Sequence, residues 1–95
     1  MRTYIKGETV ICLATVKDSE GTLSDPSTSF EITIINPEGI EVIADVAMLK
    51  DSTGEYHYDY NSSLSNSVGT YTAVYTATDG TRVSIAKHEF KVDAV

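Results

Sequence analysis

The chain has 95 residues, enough for a single domain, and its 41% hydrophobic and 22% charged residues are ordinary for a globular protein. Fourteen acidic against seven basic residues give a net charge of −7, which excludes the basic face that nucleic acid requires and disfavours an anionic membrane surface. Its one cysteine, Cys12, excludes a disulfide within the chain.

The opening Met1-Arg2-Thr3-Tyr4 has no apolar run behind it, so no signal peptide is expected, and the longest apolar stretch, Val10 to Ala14, is too short to span a bilayer. The first long strand is expected over Thr9 to Lys17, with Val10, Cys12, Ala14 and Val16 on one face and Ile11, Leu13 and Thr15 on the other. Asp18-Ser19-Glu20-Gly21 is turn chemistry. Ser29 to Ile35 follows, with Phe30, Ile32 and Ile34 inward. The turn Asn36-Pro37-Glu38-Gly39 leads to short strands at Ile40 to Ala44 and Ala47 to Lys50. After Asp51-Ser52-Thr53-Gly54, the segment Glu55 to Tyr60 alternates Tyr56, Tyr58 and Tyr60 against His57 and Asp59. A serine-rich loop, Asn61 to Val68, precedes a strand at Gly69 to Thr78 with Tyr71, Ala73, Tyr75 and Ala77 on one face. Asp79-Gly80 predicts a type I′ hairpin. The last strand, Arg82 to Val92, carries Val83 and Ile85 in one phase and Phe90 and Val92 in the other, which predicts a bulge or sheet switch near Ala86-Lys87. No segment has helical periodicity. About seven antiparallel strands in one domain, residues 1–95, predict an all-β, two-layer sandwich.

The pattern Gly69-Thr70-Tyr71-Thr72-Ala73 resembles the region around the second core cysteine of immunoglobulin domains, where a tyrosine two residues earlier forms the tyrosine corner. Tyr71 matches that tyrosine, Ala73 stands at the second cysteine and Cys12 at the first, and the core tryptophan is missing. With Gly7-Glu8-Thr9-Val10, Val16 to Gly21, Ile34 to Gly39 and Lys50 to Tyr56, the chain is similar along most of its length to prokaryotic and viral immunoglobulin-like domains. These include small stand-alone virus and provirus proteins and modules of surface proteins. The resemblance implies an immunoglobulin-like sandwich and a place in a virion or at a cell surface. It implies little about task, because the architecture hosts unrelated functions.

Candidate chemistry is sparse. His57 and His88 lack a nucleophile elbow, since no Gly-x-Ser-x-Gly occurs. Cys12, in an apolar setting, reads as a core side chain with a raised thiol pKa. The acidic turns do not follow calcium-loop spacing, and one cysteine with two histidines does not make a closed zinc site. No metal or cofactor is expected. Asn61-Ser62-Ser63 matches a glycosylation acceptor but reads as a loop. The six tyrosines could line a sugar-binding face, but Tyr56, Tyr58 and Tyr60 have the phase of core residues.

The anomaly is Ile11 with Leu13. If Cys12 and Ala14 point inward, these two point outward, where a solvated sandwich face is normally polar. With Tyr4, if the N-terminal segment pairs alongside, they form a candidate protein-contact patch; Ile35, Val74 and Ile85 add apolar atoms to the other outer face. Cys12, Tyr71, Ala73 and Gly80 are the candidate structural positions. The expected function is a non-enzymatic structural or protein-interaction module, with other protein subunits or copies of itself as partners. The alternative is a domain binding carbohydrate or another small ligand, through its loops or an outer face.

Overall fold

Among the described residues the chain forms eight strands: β1 (Arg2–Ile5), β2 (Thr9–Thr15), β3 (Ser29–Ile35), β4 (Glu41–Ala47), β5 (Leu49–Ser52), β6 (Glu55–Asn61), β7 (Gly69–Asp79) and β8 (Arg82–Asp93). The structure, a computed structural model, describes residues 2–64 and 67–95. Two sheets pack face to face, one of five strands in the order β1-β8-β7-β3-β4 and one of three in the order β2-β6-β5. The all-β sandwich read from the sequence is the architecture found, with eight strands instead of seven.

The extra strand is β1. Four residues are too few to show an alternation, yet Arg2–Ile5 pairs with Phe90–Asp93 of β8. That pairing is parallel, so the sandwich is not wholly antiparallel. It also corrects the place of Tyr4. Tyr4 does not lie beside β2 on an outer face; it is buried edge-on against Phe90, with ring centroids 6.0 Å apart.

Neither the expected bulge nor a sheet switch occurs near Ala86-Lys87. The β7–β8 ladder runs without a shift from Asp79↔Arg82 to Gly69↔Val92. Val83 and Ile85 simply face solvent, while Phe90 and Val92, in the opposite phase, enter the core. The irregularities lie between β3 and β4 and between β5 and β6 instead. The strand expected through Lys17 ends at Thr15, followed by an isolated bridge between Lys17 and Leu23. The two short strands start and end later than expected, at Glu41–Ala47 and Leu49–Ser52. The hairpin after β7 has Gly80 and Thr81 as its central residues. Positive φ falls on Gly80 alone, at +60°, which is the type II′ pattern and not type I′. In the serine-rich loop, Asn61 closes β6 and Ser62–Leu64 forms a 3₁₀ turn, while residues 65–66 lie outside the described residues.

The core lies between the sheets and is largely aromatic. Tyr71 stacks on Phe90 at 5.5 Å, Tyr60 lies against both rings, and Phe30 meets Tyr56 edge-on at 4.9 Å. Val10, Cys12, Ile32, Ile34, Ala73 and Val92 fill the spaces between them. Ser62 is the buried polar residue of this layer. It donates to the Glu8 carbonyl and accepts from Gly7 N–H, tying the β1–β2 turn to the end of β6.

Candidate functional site

The three-stranded sheet positions the candidate surface. With Val10 and Cys12 turned inward, strand geometry turns Ile11 and Leu13 outward. They are 54% and 70% exposed, fractions that decide that neither belongs to the core. Across the sheet Leu13 stands opposite His57 of β6, and His57 opposite Leu49 of β5, which is also exposed. Ile11 stands opposite Asp59. The outer face thus carries three large aliphatic side chains around one imidazole. Leu49 was not picked out in the sequence, because its strand is too short and irregular for its phase to be read.

His57 is held between carboxylates. Its Nδ1 lies 2.7 Å from Asp51 Oδ1 and its Nε2 lies 3.8 Å from Asp59 Oδ2. These two carboxylates hold the ring on the outer face of the sheet.

His88, Tyr75 and Cys12 form the second polar group. The Tyr75 hydroxyl is hydrogen-bonded to His88 Nδ1 at 2.9 Å, with the rings stacked at 5.4 Å. Burial holds His88 below the usual imidazole range. Burial also pushes the Cys12 thiol up to about 11, partly offset by a hydrogen bond with Tyr75, and Tyr75 is itself raised by burial. At neutral pH these groups are uncharged, and Cys12 has no exposed surface. Cys12 and Tyr75 thus form a polar contact inside the core, while His88, exposed on β8, meets the Tyr75 hydroxyl from outside it.

Of the other singled-out residues, Ala73 is fully buried. The buried Tyr71 donates its hydroxyl to the Ser67 carbonyl at 2.5 Å. Tyr4 is in the core and takes no part in the outer face. Five of the six tyrosines are buried and Tyr58 is half-buried, so none offers an open ring for stacking a sugar. Ile85 is exposed on the outer face of the five-stranded sheet, while Ile35 and Val74 there are half-buried. Among the described residues, no group of three His, Cys, Asp or Glu side chains could hold a metal ion. Among the described residues, no helix is long and apolar enough to cross a membrane.

No family model, curated protein or solved structure matches the chain. What it does must be read from its own surface.

Asp25 is a structural anchor that sequence reasoning missed. Its carboxylate accepts from Lys50 Nζ at 2.6 Å, Gly54 N–H at 2.9 Å and Tyr56 Oη at 3.0 Å. These bonds, that to Lys50 first, hold it below the usual carboxylate range. The only local hint is an Asp before Pro26 in a polar loop, and its partners are 25 or more residues away. Near the same loop a cleft of about 630 Å³ opens between β2 and β8, with Leu13, Ala14 and Val16 on one side and Ser84 and Ala86 on the other.

Proposed function

We propose that this chain is a non-enzymatic protein-interaction module that docks through the outer face of its three-stranded sheet, with copies of itself as the partner. The observation that carries the reading is the exposure of Ile11 and Leu13 on one strand, continued across the sheet by Leu49. Single exposed aliphatics need no explanation, but three on one sheet face, grouped around His57, favour a contact surface. Removing that area from water is favourable by about 25 cal/mol per Å². A repeating assembly, such as a virion or a surface array, would supply the partner.

An immunoglobulin-like relationship is part of the proposal. The order β2-β6-β5 facing β8-β7-β3-β4 parallels strands B-E-D against G-F-C-C′ of that fold. The Tyr71 bond to a carbonyl four residues upstream supports the same reading. The disulfide and tryptophan of antibody domains are lacking.

The test is light scattering at rising protein concentration. The wild type is expected to gain mass, while Ile11→Thr with Leu13→Ser stays monomeric. Both should melt cooperatively, with midpoints corresponding to within about 0.5 kcal/mol, as surface substitutions do. A monomeric wild type, or a double variant that associates equally well, would reject the reading.

A further inference from the structure

Open sheet edges present unpaired N–H and C=O groups, and proteins normally guard them with charge, bulges or shortness. Four edges here are guarded. β1 has only four residues, Arg2 among them. The stretch of β8 beyond β1 carries Arg82 and Lys87. β4 is irregular in register, with Glu41 and Asp45 on it and Asp45 at positive φ. β5 has four residues, Lys50 and Asp51 among them. β2 differs. Its seven residues, Thr-Val-Ile-Cys-Leu-Ala-Thr, pair with β6 without a register shift and include no charge and no proline. Among the described residues, its other edge pairs with no strand.

We infer that two copies of this chain pair antiparallel through the free edges of their β2 strands, about a two-fold axis at Cys12. The first support is the direction of the backbone groups. Val16 N–H donates to the Gly54 carbonyl, and Ser62 N–H donates to the Glu8 carbonyl. Residues 8 and 16 therefore face β6. By the alternation of an antiparallel ladder so do 10, 12 and 14, leaving Thr9, Ile11, Leu13 and Thr15 with N–H and C=O directed outward. The second support is that β2 is a chemical palindrome about Cys12. Thr9 mirrors Thr15, Val10 mirrors Ala14, and Ile11 mirrors Leu13. An isologous interface requires such self-complementarity. The register centred on Cys12 places all four outward residues opposite outward residues of the second copy: Ile11 faces Leu13, and Thr9 faces Thr15. Other face-matched registers leave some of them unpaired. Cross-strand Thr–Thr and aliphatic pairs are favourable, and no like charges meet on the paired strands. The exposed aliphatic groups of the two copies then merge into one apolar surface. On the inner side, the cleft along Leu13 to Val16 leaves this flank of β2 open.

The inference rests on the proposed self-association and adds to the face contact a distinct edge contact, so the experiment must separate edge pairing from face contact. Thr9→Pro with Thr15→Pro removes two outward N–H groups per chain and leaves Ile11 and Leu13 in place. Proline is tolerated on an edge whose N–H faces solvent. Measured by sedimentation equilibrium, the dimer dissociation constant of this variant is expected to rise by roughly a hundredfold or more, from the loss of several interchain hydrogen bonds. A dimer that survives the prolines but is lost with Ile11→Thr and Leu13→Ser would overturn edge pairing and leave the docking face standing. A wild type that is monomeric throughout would overturn both. If the proline variant does not melt cooperatively, charge pairs replace it. Thr9→Lys with Thr15→Lys, and Thr9→Glu with Thr15→Glu, should each be monomeric alone and form a heterodimer when mixed. Persistence of either homodimer, or no heterodimer on mixing, would overturn the inference.

Discussion

At the scale of single residues, three positions carry checkable consequences. Cys12 is fully buried and its thiol is pushed up to about 11 by that burial, so a thiol reagent should label the native protein slowly and the denatured protein fast. Immediate labelling under native conditions would mean that the face assignment of β2 is inverted. Tyr71 donates to the Ser67 carbonyl from within the aromatic core. Tyr71→Phe keeps the ring and loses the bond, so denaturant melts should show a loss of about 1 kcal/mol. Gly54 has φ +73°, and an added Cβ would stand 2.7 Å from the Val16 carbonyl oxygen and 3.0 Å from Leu23 Cβ. Gly54→Ala therefore combines a left-handed backbone with a collision against main chain, and should cost about 2 kcal/mol or more. An unchanged midpoint would show that the β5–β6 turn relaxes freely.

Among the elements, the β5–β6 hairpin depends on a loop far from it in sequence. Asp25 ties together Lys50 on β5, Gly54 in the turn and Tyr56 on β6. Because the fold holds the Asp25 carboxyl below its ordinary range, its contribution is complete above that range and is lost as pH falls through the lowered folded value. Asp25→Asn should lower the denaturant midpoint at neutral pH, and the gap between variant and wild type should narrow in acid. A gap that is constant with pH would assign the loss to geometry and not to charge. The neighbouring elements show why parity succeeded in some strands and not in others. β6 and β7 are long and regular, so Tyr56, Tyr60, Tyr71, Ala73 and Tyr75 lie inside as their phase requires. In β8 the same rule points to a bulge or sheet switch, because the apolar phase changes from Val83 and Ile85 to Phe90 and Val92. Val83 and Ile85 are outside, in an unbroken ladder.

For the whole molecule, charge and association oppose each other. Two chains of net charge −7 repel, while β2 itself is uncharged. Adding salt should therefore tighten self-association by screening that repulsion, with a Debye length of about 10 Å at 0.1 M falling to about 3 Å at 1 M. Light scattering at fixed protein concentration reads this directly. Weakening by salt would point to ion pairs across the interface, which a β2–β2 pairing does not contain.

The sequence by itself determined the fold class, the inward sets of β2, β3, β6 and β7, and the outward set of β2 that forms the candidate surface. Each follows from period-two alternation, which is local and needs only a few residues in register. Tertiary structure alone decided where the short and distant elements go. Tyr4 is a core residue because β1 joins β8 in parallel at the far end of the chain. Leu49 belongs to the candidate surface because β5 pairs with β6 opposite His57. Asp25 is an anchor because the loop carrying it folds back over the β5–β6 turn. A four-residue strand or a loop carboxylate has no period to read, and its position is fixed by partners dozens of residues away. β2 is an open edge for the same kind of reason: only the sheet order leaves its outward backbone groups without a strand.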